Sequence, residues 1–116
     1  MTDKSEIAEK TTRALRARRR SLARSLPDVE GLISGAVVEQ GRRCGKEGCR
    51  CTRGELHGPY TYVVLPRNGG RIRTMYVSAR AAEAVRAGAA LSVSVRGVIE
   101  EISAINGELL RRGGLE

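Results

Sequence analysis

The sequence predicts an α+β domain: an N-terminal amphipathic helix, a small metal loop joined to an antiparallel β-hairpin or three-stranded sheet, and C-terminal helices packed on the first helix. Three observations predict it. Apolar residues recur at helical spacing at both ends, two strand-like runs flank an Asn-Gly turn in the middle, and three cysteines and a histidine fall within residues 44–57. At 116 residues the chain has the length of one domain, 1–116, and at this size only about two-thirds of the unfolded surface can be buried. Phe and Trp are absent, and Tyr60, Tyr62 and Tyr76 are the only aromatic residues. So thin a supply of core material calls for a supplement, either a metal or a second subunit.

Residues 3–26 read as the basic amphipathic helix. Asp3 and Glu6 have capping-box spacing, and Pro27 stops the run. At about 100° per residue, Ile7, Thr11, Ala14, Leu15, Leu22 and Leu26 share one face. Arg13, Arg16, Arg20 and Arg24 share the opposite face, and Arg18 and Arg19 lie at the edges, where their stems can snorkel. Residues 27–78 hold the metal loop and hairpin. Ala36-Val37-Val38 is a short strand, followed by the glycine-rich loop 44–57.

The runs 60–65 and 71–78 then form a hairpin. A two-residue turn at Asn68-Gly69 pairs Leu65 with Ile72, Val63 with Thr74 and Thr61 with Tyr76. In that register Tyr60, Tyr62, Val64, Arg71, Arg73, Met75 and Val77 share the other face. Residues 79–112 are helical: Ser78 caps a short helix over 79–87 that Gly88 closes. A second helix carries Leu91, Val95, Val98, Ile99, Ile102, Ile105 and Leu109 as its apolar stripe, overriding the local alternation of LSVSV.

Cys44, Cys49, Cys51 and His57 have the spacing C-x4-C-x-C-x5-H. Three thiolates and one imidazole make a closed tetrahedral set for structural zinc, with no position left for a reacting water. An iron–sulfur or redox role, or cysteines that bind nothing, are the alternatives. Arg42, Arg43, Lys46, Arg50 and Arg53 surround the loop and would offset its negative charge. Three cysteines confined to eight residues do not resemble a disulfide framework. No apolar run reaches the roughly 18 residues of a membrane span, and the charged opening MTDKSEIAEK lacks a signal-peptide core. The expectation is a cytoplasmic protein with reduced thiols and no membrane association.

The net charge of +8, with a pI near 10.3, favours polyanionic partners. Candidate phosphate contacts are Arg13, Arg16, Arg20 and Arg24 on the helix, and Arg42, Arg43, Arg50 and Arg53 around the loop. Arg71 and Arg73, beside Tyr60 and Tyr62 on the hairpin, complete the set. The leading expectation is non-catalytic binding of nucleic acid, DNA in the first place. Neutralising about six phosphates would give a salt slope near −5. The alternative is a zinc-stapled module for protein interaction or homodimerisation through the amphipathic helices. An enzyme is not expected. The single histidine is committed to the metal, no nucleophile or phosphate-loop motif is present, and Glu100 and Glu101 diverge by about 100° on a helix.

The strings RRCGKEGCRC (42–51), HGPYTY (57–62) and RIRTMYV (71–77) resemble a small bacterial and archaeal domain of unknown function. Its pattern is R-C-G-x-x-G-C-x-C followed by H-G-P-Y-x-Y and a helical C-terminus. Ile102, Asn106, Glu108, Leu109 and Leu110 are similar to its terminal helix, so the resemblance covers roughly 27–112 and leaves the N-terminal arginine stripe outside. It implies a metal site and an association with mobile-element genes, without an assigned activity. A looser likeness of pattern is to the Tyr- and Arg-bearing sheets of integrase arm-binding domains, which enter a DNA groove.

Overall fold

The structure, a computed structural model, describes residues 4–49, 53–66 and 69–116. Cys51, Arg50, Asp3 and Asn68 lie outside the described residues. The elements run α1 (Lys4–Glu9), α2 (Thr12–Arg24), β1 (Ala36–Arg42), β2 (His57–Pro66), β3 (Ile72–Val77) and α3 (Ala79–Arg111). Helices and a three-stranded antiparallel sheet of order β1-β2-β3 make the α+β class the sequence predicts. The chain divides into two compact units. One comprises residues 1–29 and 93–116, the other residues 30–92, and α3 contributes to both.

In the first unit the helix expected over 3–26 is two helices. Thr11, expected on the apolar stripe, is instead the N-cap of α2: its backbone is extended and its Oγ1 accepts from the Ala14 amide at 3.1 Å. A hydroxyl that satisfies an orphan amide contributes more at a helix start than as a half-polar member of a core stripe. Ser25 caps the other end, leaving Leu26 exposed. The core is Ile7, Leu15 and Leu22 against Ile105 and Leu109, with Val98, Ile102 and Ala104 packed alongside. The two terminal helical segments thus bury their apolar faces on each other.

Arg18 and Arg19, at the edge of that core, reach across to α3. Arg18 makes a two-pronged pair with Glu101 (2.7 and 3.1 Å), and Arg19 donates to the Asn106 side-chain oxygen at 2.8 Å. Arg112 bonds Glu108, the Thr12 hydroxyl and the Ala8 carbonyl.

The second unit holds the sheet and the first turns of α3. Ser78 caps α3 as expected, its Oγ accepting from the Ala81 amide. Gly88, however, does not close a helix; α3 runs unbroken for 33 residues, about 50 Å. The glycine serves close packing instead. A Cβ at position 88 would strike the Gly31 carbonyl oxygen and crowd Ile33, whose amide donates to the Gly88 carbonyl at 3.1 Å.

The hairpin register also differs from expectation, by one residue. Pro66 pairs with Ile72, Val64 with Thr74 and Tyr62 with Tyr76, so the last paired residues are separated by five positions in sequence and not by the expected two-residue turn. The hydrophobic face decides the matter, because a one-residue slip moves every side chain to the other side. This register sets Val63 and Val77, both buried, on a single face with Leu65 and Met75. Arg86 of α3 reaches Glu39 on the same face at 2.8 Å. The opposite face gathers Tyr60, Tyr62, Val64, Thr74 and Tyr76.

Candidate metal centre and its groove

The β1–β2 pairing ends at Arg42 opposite His57, after an irregularity between Gln40 and Arg42. Cys44 leaves this end two residues beyond β1, and the chain turns at Lys46–Cys49, where the Cys49 amide meets the Lys46 carbonyl. Gly48, Gly54 and Gly58 take φ of +77°, +102° and +106°, values that side chains disfavour, which lets the loop fold back onto the strand ends.

The result brings together Cys44, Cys49 and His57, whose ligand atoms all lie within 4.8 Å of one another. Cys49 Sγ and His57 Nε2 are 3.0 Å apart. Bond lengths of about 2.3 Å to sulfur and about 2.0–2.1 Å to nitrogen put tetrahedral donors about 3.4–3.8 Å apart. Donor atoms gathered within 4.8 Å need only small side-chain adjustments to reach those separations, and thiolate with imidazole suits a borderline-soft ion. Three of the four ligands expected from the spacing are therefore close enough to hold a metal ion. Cys51, the fourth, lies outside the described residues.

Beside the cluster is an open groove of about 1140 Å³. Cys44, Cys49 and His57 line it, Arg42, Arg43 and Lys46 provide cations, and Tyr60, Tyr62, Thr74 and Tyr76 come from one face of the sheet. The Arg42 guanidinium lies 4.9 Å above the Tyr62 ring, a cation–π contact on the buried tyrosine. Tyr76 makes T-shaped contacts with Tyr60 and Tyr62, at centroid distances of 6.5 and 5.9 Å, and remains 61% exposed.

The other predicted contacts are distributed differently. Arg73 points with Val63 and Val77 to the face away from the tyrosines, and Arg71 belongs to the hairpin connection; neither lines the groove. Arg53 is exposed beyond it, and Arg50 is outside the described residues. On α2, Arg13, Arg16, Arg20 and Arg24 are exposed as expected. Arg16 donates to the Gly114 carbonyl at 2.9 Å, whereas Arg13, Arg20 and Arg24 have no hydrogen-bond or ion-pair partner among the described residues. Tyr76 and Thr74 were not expected at the site. The signal for them was parity: Tyr60, Tyr62 and Tyr76 share a face only if even positions pair with even ones, as the adjacent Gly69-Gly70 connection allows.

Fold and site together define a small α+β protein with a Cys/His cluster at the end of a three-stranded sheet. Residues 12–87 match the family described as a domain of unknown function (DUF6788), and the chain belongs to that family. The match starts at Thr12 and so takes in the arginine face of α2, a correction to the expected span of roughly 27–112; it stops at residue 87, short of the helix at 102–110. No curated protein and no solved structure matches the chain. No helix among the described residues is long and apolar enough to cross a membrane.

Proposed function

We infer that the protein is a non-catalytic nucleic-acid-binding module, with DNA as its partner, whose binding loop is held by a structural zinc ion on Cys44, Cys49 and His57, with Cys51 offered by the sequence as the fourth donor. The observation that carries this reading is the composition of the groove. Arg42, Arg43 and Lys46 meet the tyrosines beside the cluster, and no carboxylate lines it among the described residues. Such a surface attracts phosphate through its cations and offers rings to bases. Arg13, Arg20 and Arg24 on α2 add a second set of phosphate contacts.

The test has two arms. Metal analysis of the purified protein should find one zinc per chain, and Cys49→Ser should release it; metal-free protein with an unchanged melting curve would remove the zinc reading. A mobility shift on random-sequence DNA, offered both paired and unpaired at about 50 mM salt, should show binding that weakens steeply with salt. Absence of binding to either form would remove the nucleic-acid reading. Replacing Arg13, Arg20 and Arg24 by Gln should reduce the salt slope by up to about three while leaving the fold intact. A protein-interaction or dimer module is the second reading, favoured by the apolar side chains that α3 leaves exposed at Val93, Ile99 and Leu110.

A further inference from the structure

We propose that the groove takes single-stranded DNA, with bases stacked on Tyr60 and Tyr76 and the backbone tracked by Arg42, Arg43 and Lys46. The proposal rests on the nucleic-acid reading above and deepens it by naming the form of the ligand.

The three tyrosines are the only aromatic residues of the chain, and all three line this one groove. They differ in environment. Tyr62 is buried under the Arg42 guanidinium and forms the floor. Tyr76 meets the other two rings at interplanar angles of 67° and 70°, not in parallel stacks, and is 61% exposed, so much of its surface is open to a ligand. An exposed ring held in place by its neighbours costs little conformational entropy to engage, and every base presents a π-face to it.

Duplex DNA cannot use these rings, because its bases already stack on one another; a protein that reads a duplex surface needs cations and groove-shaped elements instead. A single strand has unstacked bases to offer and a phosphate for each. The groove provides for both, with Arg42, Arg43 and Lys46 lining it together with the three rings. At about 1140 Å³ it exceeds the usual range of about 300–1,000 Å³ for small-molecule pockets, and it is open, as an extended polymer requires.

The experiment compares fluorescein-labelled dT15 with a 15-base-pair duplex and with rU15 by anisotropy at about 50 mM salt. Tyrosine emission is followed in parallel and corrected for absorbance by the nucleic acid. Binding to dT15 should exceed that to the duplex by at least about tenfold and should quench tyrosine emission, which reports on this groove alone because the chain has no Trp. Tyr76→Leu and Tyr60→Leu should each weaken dT15 binding by about 5- to 100-fold, with metal content and circular dichroism retained. Arg43→Gln should weaken dT15 and duplex binding alike.

Duplex bound as tightly as dT15, or tyrosine variants with unchanged affinity for dT15, would overturn the single-strand inference and leave nucleic-acid binding standing. Tighter binding of rU15 than of dT15 would overturn the assignment to DNA. Failure to bind any of the three would overturn this inference and the reading it rests on together.

Discussion

Glu108 shows how single side chains secure the helical unit. Its carboxylate accepts from Arg111 at 2.7 Å and from Arg112 at 2.6 Å, and these hydrogen bonds, Arg111 foremost, hold its pKa down at about 2, from 4.5. A carboxyl whose folded pKa is depressed contributes stability that is present above its unfolded value and is lost as pH falls through the folded one. Thermal melts of the native protein and of Glu108→Gln should therefore differ most above about pH 4.5 and converge as pH falls toward 2. A gap that stays constant across that range would mean the carboxylate charge is immaterial. Arg18 is likewise held in its charged form by Glu101. At this scale the sequence was informative about residue type and weak about partners. The spacing picked out Cys44, Cys49 and His57, because metal ligands must lie near one another in a short loop. It could not reveal that Arg16 or Arg19 would be tied to the far end of the chain, since those bonds depend on how two distant helices pack.

The elements carry a contrast between two glycines of α3. At Gly97 a Cβ would meet nothing within 4 Å, so Gly97→Ala should stabilise the protein by about 1 kcal/mol through helix propensity. At Gly88 the same change drives a methyl group into the Gly31 carbonyl, and the sign should reverse. Melting temperatures of the two variants check both signs at once. Thr11→Ala should cost about 1 kcal/mol, because it strips the N-cap of α2, whereas Leu109→Ala, at a fully buried position, should cost about 2–5 kcal/mol. Apolar periodicity made the helical stripes legible, down to Ile105 and Leu109. The breaks were not legible, for a physical reason in each case. Thr11 fits an apolar stripe or a cap equally well by spacing, and Gly88 reads as a stop until the segment it touches is known. The hairpin was legible as a hairpin, but its register was set by the joint burial of Val63 and Val77, which a turn motif does not encode.

For the molecule as a whole, the two units should respond differently to metal. Roughly 10–16 kcal/mol of zinc binding in small modules appears as folding energy, and the proposed ligands Cys44, Cys49 and His57 all belong to residues 30–92. Chelation should abolish hydrogen-exchange protection first at the β1–β2 strand ends around Arg42 and His57. The amides around Ile105 and Leu109, packed on Leu15 and Leu22, should remain protected longest. Uniform loss across both regions would mean that the units unfold as one.

The first unit is assembled from the two ends of the chain, with Arg16 bound to Gly114 and Arg19 to Glu116, while all of residues 30–92 intervene. Topologically the sheet is an insertion within a helical hairpin. The helices can meet only by closing that long loop, whose entropic cost grows by about 0.6 kcal/mol for each doubling of its flexible length. Any stretch of residues 30–92 already folded shortens the flexible chain left to close, so destabilising the inserted sheet should slow the joining of the ends in a refolding experiment.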